Sequence, residues 1–281
     1  MILLARFFKF IFRFPFFRKY YFGLYTKVFR PRGWFRGKVT TCNYRNELKI
    51  RLELDDWIQQ QVFFFGVFDA RGIRFLEGVL RPGDVFLDIG ANIGCYSLAA
   101  AAKVGLEGKV IAFEPVAHVF KNLQFNFELN RLNQAKAEKL AIYDREGSVT
   151  MHVAGRENLG MSSMLRHDAE NGHTEEVITS TLDGYLAENG IEGVDLIKLD
   201  IEGAELAALK GMCNTLTNLR PVLIIEIIDT MTPDGEAILE LLRELNYKAF
   251  TLNEEGIKEN FRAYSSREAY YNYLFLPAEK L

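Results

Sequence analysis

Three short stretches of this chain put residues of chemical use at the ends of apolar runs. The first is Asp88-Ile89-Gly90-Ala91-Asn92-Ile93-Gly94, directly after Val85-Phe86-Leu87. Small residues there let the backbone bend sharply and approach a ligand, and the following helix offers free N–H groups. Such a turn binds dinucleotide phosphates when it reads G-x-G-x-x-G. Here an acid stands two places before the first glycine and Asn92 takes the middle position, which suits an ammonium group better than a pyrophosphate. The second is Glu114, closing Lys109–Phe113, where a carboxylate can accept both hydroxyl hydrogens of a ribose. The third is Lys198-Leu199-Asp200-Ile201-Glu202-Gly203, whose period-two geometry puts Lys198, Asp200 and Glu202 on one side of an extended strand. Asp200 then serves as a base for a hydroxyl proton or as a ligand for an amine. Lys198 either lowers the pKa of an acceptor or pairs with Asp200.

The elements that position these residues alternate. Strands are expected at Val85–Leu87, Lys109–Phe113, Ala135–Ile142, Asp195–Ile201, Val222–Ile228, Lys248–Leu252 and Tyr270–Leu276. Helices are expected over Asp69–Leu80, after Gly94 through Ala102, from Pro115 to about Asn130, over Ala204–Leu216 and over Glu236–Leu245. Ser148–Val153 reads as an added hairpin strand after the Glu146-Gly147 turn, and Glu47–Phe68 as mixed strand and turn. Strands alternating with helices give an α/β fold with a largely parallel sheet, and ligands of such sheets sit at the strand C-termini. The stretch Ala154–Thr174 is polar and aperiodic, and a loop of that length suggests function. It contains His167, His173, Asn158 and the Ser162-Ser163 pair; the histidines are candidate bases or simply solvated. Glu226 could join Asp200 around a divalent cation, but two acids do not define a metal site and none is assigned.

Composition bounds the rest. The 281 residues are 49% hydrophobic and 25% charged, with 22 Gly, 7 Pro and 3 Cys, which excludes collagen-like, disulfide-scaffold and disordered classes. Three widely spaced cysteines favour a reducing compartment, and so a cytoplasmic location. Eleven of the 34 bases and ten of the 23 Phe residues precede Glu47, the first acid, leaving 23 bases against 37 acids beyond. Three segments follow: a basic aromatic arm over 1–46, an N-terminal subdomain over 47–80 and the site-bearing domain over 81–281. Arg6, Lys9 and Arg13 share one helical stripe among phenylalanines until Pro15, and the charges are too frequent for a membrane span. A helix packed on its own domain or on a second subunit is the leading expectation for the arm. Peripheral contact of residues 1–30 with the inner face of a membrane is the alternative. Nucleic acid is not expected as a partner, because the acidic remainder repels phosphates.

Taken together, these motifs resemble the FkbM-type family of class I S-adenosylmethionine-dependent methyltransferases. The resemblance runs through Pro82–Gly94, Ala112-Phe113-Glu114-Pro115, Leu123, Asn126 and Asn130, Ala141 with Asp144–Gly147, and Asn158–Ser163. Thr181-Leu182-Asp183, Asp195–Glu205 and Val222–Glu226 complete it, so that it spans about residues 68–276. It implies a Rossmann-like, mostly parallel seven-stranded sheet with an antiparallel last strand, preceded by the arm as an extension. It also implies methyl transfer to the hydroxyl of a saccharide or other small molecule, with S-adenosyl-L-methionine as cofactor. By position, Asp88 and Gly90 would hold the methionine end, Glu114 the ribose and Ala141 the adenine, with Asn92 and Gly94 of the same turn in the cofactor-binding set. Asp200 and Lys198 are the candidate catalytic residues, Asp200 also as a cofactor ligand. Phe68-Asp69 stands where the family often has Tyr-Glu. An NAD-dependent dehydrogenase shares the glycine turn and Glu114, but not the turn spacing. A non-catalytic module recruited through its arm is the other alternative.

Overall fold

The computed structural model describes residues 2–45, 47–155, 162, 172–227, 232–253, 256–258 and 271–281. The chain opens with short helices, α1 (Ile2–Ile11), α2 (Pro15–Arg18) and α3 (Tyr21–Leu24), the last running into a π-helical turn at Tyr25–Phe29. Pro15 breaks the first helix and starts the second, where its missing N–H costs nothing. A hairpin follows, β1 (Val39–Tyr44) with β2 (Leu48–Glu53), and then α4 (Trp57–Phe65) and α5 (Ala70–Val79).

Glu47–Phe68, expected as strand and turn throughout, contains a full helix. The side chain of Asp56 accepts the Gln59 N–H at its start, and Gly66 at φ 86° closes its end. The apolar cluster Phe63-Phe64-Phe65 carries no helical period of its own, and only the caps mark the element.

From there the chain alternates: β3 (Val85–Ile89), α6 (Cys95–Val104), β4 (Lys109–Phe113), α7 (Ala117–Leu129) and β5 (Ala135–Glu138). The expected strand Ala135–Ile142 is divided, since β6 (Ala141–Ile142) leaves the main sheet. It joins β7 (Gly147–Val153) and β8 (His173–Ser180) in a three-stranded sheet of order β6-β8-β7. After α8 (Leu182–Glu188) come β9 (Leu196–Leu199), α9 (Glu205–Lys210), β10 (Val222–Ile227) and α10 (Pro233–Glu244). The chain ends with β11 (Tyr247–Asn253), β12 (Gly256–Lys258) and β13 (Tyr271–Pro277).

The main sheet has the order β12-β11-β13-β10-β9-β3-β4-β5. Strands β10, β9, β3, β4 and β5 are mutually parallel, and β13 inserts antiparallel between β10 and β11. This is the expected seven-stranded class I sheet, with the short hairpin strand β12 added at one edge. Strand order reverses between β3 and β9, and a crevice therefore opens above their C-terminal ends.

The aromatic arm is not a loose appendage. Phe12, Phe29 and Phe35 are buried and belong to the same apolar cluster as Phe64, Leu76, Phe86 and Val110, so the arm, the hairpin and the sheet share one core. Rings of Phe12 and Phe64 meet edge-on at 5.3 Å, and those of Tyr21 and Trp57 stack at 5.2 Å. The hairpin is fastened to α7 by side chains. Asn130 accepts the Lys49 N–H at 2.7 Å and donates to the Lys49 carbonyl at 2.7 Å, while Asn126 accepts the Arg51 N–H at 2.8 Å. The amide of Asn126 donates in turn to the Ile93 carbonyl in the glycine turn, 2.9 Å away.

Candidate functional site

The crevice holds a cavity of about 720 Å³, within the range of small-molecule sites. Asp88, Gly90, Asn92, Glu114, Ala141, Lys198 and Asp200 all line it, brought together from the ends of β3, β4, β6 and β9. Gly94 does not line it. There φ is +90° and an added Cβ would lie 2.7 Å from Leu123, so this glycine serves the packing of α6 on α7.

The glycine turn is fixed by backbone crowding. At Gly90, with φ +82°, an added Cβ would stand 1.8 Å from the carbonyl oxygen of Asp200, so only glycine lets β3 turn beside the end of β9. Asn92 also takes a left-handed conformation, φ 52°, and its side chain accepts the Ile93 N–H. Its own N–H donates to Glu114. The side-chain oxygen and the backbone N–H of Asn92 are thus both spent on the turn.

Glu114 is buried and accepts the N–H groups of Asn92 and Val116, each at 3.0 Å. Burial pushes its carboxyl up to about 7 despite those bonds. Each carboxylate oxygen has a second lone pair, so acceptance from a ligand's hydroxyls remains open. Asp88 is also buried; its Oδ2 accepts the Ser97 hydroxyl at 2.5 Å, and its Oδ1 has no partner among the described residues. Burial raises its pKa, with Lys198 acting against the rise.

Within β9, Lys198 donates to Asp200 at 2.7 Å and lies 4.9 Å from the centre of the Tyr96 ring. Burial disfavours the lysine's charge, but Asp200 and Asp88 outweigh it and hold the ammonium above its usual range. Asp200, Glu202 and Glu226 bring one carboxylate oxygen each within 4.8 Å of one another. Burial and the neighbouring charge of Asp200 push Glu226 up to about 11, so it stays protonated and bonds to Asp200. Asp200 is held low by Lys198 and by the proton of Glu226, against the effect of burial. Lys198 is therefore the ion-pair partner of Asp200, the second of its two expected roles. The turn beyond is held by Glu205, which accepts from Ile201 and Gly203.

Several wall residues carried no signal of their own in the sequence. Tyr96 donates to Asp69, the acid at the position of the Tyr-Glu pair, and Asn272 of β13 donates to the same carboxylate at 2.5 Å. Asp69 thus caps α5 and ties two cavity-lining side chains together. Trp57, Phe68, Arg71 and Arg74 form another wall. Ser162 is buried against the cavity and accepts the Ala154 N–H at 3.1 Å. His173 is exposed at the start of β8 and does not line the cavity. Asn158, Ser163 and His167 lie outside the described residues.

The chain is similar to several known proteins. The chain is 30% identical over 194 residues to the hexuronic acid methyltransferase AglP of Haloferax volcanii, covering 66% of this chain and 75% of that protein. It is 28% identical over 181 residues to the 2-O-methyltransferase NoeI of Sinorhizobium fredii, covering 58% and 72%. It is 25% identical over 264 residues to the AMB antimetabolite synthetase AmbE of Pseudomonas aeruginosa; that match takes in 79% of this chain but spans only 12% of AmbE. A solved methyltransferase FkbM from Methylobacillus flagellatus is 16% identical, with a TM-score of 0.44 over 79% of this chain and 55% of that one. The model of the methyltransferase FkbM domain matches residues 88–249, which begin at the acid of the glycine turn and end inside β11. More than half of the chain is so matched, and the protein belongs to the FkbM methyltransferase domain family.

Proposed function

We propose that the protein uses S-adenosylmethionine to methylate a hydroxyl of a saccharide or other small molecule. The observation that carries this reading is the acid-lined crevice at the β3–β9 switch point, where the buried Asp88 Oδ1 has no partner among the described residues. A cofactor with an ammonium and a sulfonium fits the acids Asp69, Asp88, Glu114, Asp200 and Glu202 around the strand ends, with Arg71 and Arg74 set on a separate wall. Bound there, the cofactor would supply an electrophilic methyl group for an acceptor oxygen, its sulfur being the leaving group. Asp88 would take the ammonium end, Glu114 the ribose hydroxyls and Ala141, with Leu140 and Ile142, the adenine face.

The chain's own part is to align and to remove a proton. Asp200 accepts the acceptor's hydroxyl proton while Lys198 and Glu226 hold the carboxylate in position. Its low basicity is sufficient, because a hydroxyl becomes strongly acidic as its oxygen gains a methyl group. The acceptor would lie on the side of Trp57 and Phe68, whose aromatic faces suit the C–H face of a sugar ring. The relatives NoeI and AglP, a 2-O-methyltransferase and a hexuronic acid methyltransferase by name, support a hydroxyl of this kind.

A thermal-shift titration with S-adenosylhomocysteine tests the reading. Saturating ligand at a hundred times its Kd stabilises a folded protein by about 2.7 kcal/mol. A raised melting temperature that shrinks in Glu114→Ala is expected; no shift in the wild type would overturn the proposal.

A further inference from the structure

Helix α1 is apolar on two faces. Ala5, Phe8 and Phe12 point inward, where Phe12 meets Phe64 and Phe65 of α4. Leu3, Phe7, Phe10 and Phe14, spaced i, i+4, i+7, i+11, form a second stripe that is 51–80% exposed. The outward stripe continues into Phe16, Tyr20 and Phe22, which are 49–65% exposed. Among the described residues, eight of the thirteen large exposed apolar side chains fall between Leu3 and Phe22. A concentration of that kind marks an interaction surface rather than ordinary surface composition.

The charges around it select the partner. Arg6, Arg13, Arg18 and Lys19 are exposed among these rings, and the sequence has no acid before Glu47. Two copies meeting through this face would set bases against bases with no acid between them. An anionic surface is attracted to them instead. Rings and bases alternate along short helices broken at Pro15, a pattern that an interfacial plane accommodates without shape complementarity. Among the described residues no helix is long and apolar enough to cross a membrane, so the face would lie on a bilayer and not in it.

We propose that the outer face of residues 3–22 docks on an anionic lipid bilayer, with the Phe rings at the acyl boundary and the Arg and Lys heads among the lipid phosphates. The docked face would end beside the cavity. Phe22 lies 5.9 Å from Trp57, ring centre to ring centre, and Trp57 lines the cavity wall. An acceptor hydroxyl carried at the membrane interface would then reach the site without leaving the bilayer; that last step rests on the methyltransferase reading, while the docking does not.

Vesicle flotation of the full chain tests the docking, using phosphatidylcholine alone and phosphatidylcholine mixed with phosphatidylglycerol. The wild type should float with the anionic vesicles, and added salt should weaken the binding. Phe7→Ser/Phe10→Ser/Phe14→Ser alters only exposed rings, so it should keep its melting temperature and its shift with S-adenosylhomocysteine while losing at least about ten-fold in partitioning. Arg6→Ser/Arg13→Ser/Lys19→Ser should lose about five-fold per charge on anionic vesicles, the equivalent of roughly 1 kcal/mol each. Failure of the wild type to float, or equal flotation of the triple-Phe variant, would overturn the proposal. So would a dimer in sedimentation velocity that the triple-Phe variant dissolves, since the face would then belong to a second copy. The ligand-induced shift is read separately, so failure of docking and failure of the methyltransferase reading are distinguishable.

Discussion

The site is governed by how its buried charges are shared. Lys198 stands between Asp88 and Asp200, and it is the cation that both carboxylates share. Lys198→Met should therefore destabilise the fold by about 3–5 kcal/mol, the cost of leaving buried acids without their partner. Removing the cation raises the folded-state pKa values of both acids. The loss should thus be full where both acids are ionised and shrink as the pH falls, as denaturant melts at neutral and acidic pH will register. Glu114 titrates within the working range, its carboxyl raised by burial to about 7. A ribose needs its ionised form, so affinity for S-adenosylhomocysteine should rise from about pH 6 to 8 in calorimetric titrations. Glu114→Gln should flatten that slope and weaken binding about ten- to hundred-fold, the range for a hydrogen bond to a charged group. Asp88, Glu114 and Asp200 were legible in the sequence because each closes an apolar run. Asn272 was not, because its meeting with Asp69 depends on β13, more than 200 positions later, nor was Tyr96, which reaches Asp69 only once α6 packs beside α5.

At the scale of elements, the parallel strands declared themselves as continuous apolar runs, as strands buried on both faces do. The helices and strands that escaped notice are those defined by a cap or by a partner. The α4 helix is set by Asp56 and Gly66, α8 by Thr181 accepting from Gly184, and β8 by the strand it pairs with. The β3–α6 turn illustrates how far one glycine is dictated by its neighbours. Gly90→Ala forces a Cβ to within 1.8 Å of a backbone oxygen, with φ +82° adding strain. It should cost about 2–4 kcal/mol and abolish cofactor binding. Gly83→Ala, at φ +94° with no atom within 4 Å, should cost only about 1–2 kcal/mol and leave binding intact. Thermal melts of the pair, with and without S-adenosylhomocysteine, separate crowding from strain.

For the whole molecule, composition divides the chain into an acidic body and a basic arm, and the arm packs on its own domain, in keeping with the leading expectation for it. Phe12, Phe29 and Phe35 are almost fully buried and touch the same cluster as the sheet. Deleting residues 1–36 should therefore yield aggregated or strongly destabilised protein, visible as loss of the monomer peak in gel filtration. Phe12→Ala alone should cost about 3–5 kcal/mol in denaturant melts. The apolar rings of the arm thus divide into a buried set and an exposed set, which sequence periodicity reads as a single hydrophobic tract. The asparagines of α7 bear on assembly in a different way. A hairpin edge with free N–H and C=O groups invites pairing with a stranger's strand. Asn126 and Asn130 occupy the Arg51 and Lys49 positions with side-chain amides that imitate a neighbouring strand. The β2 edge is thereby closed from within, and any chain seeking to extend the hairpin along β2 must first lift α7 away.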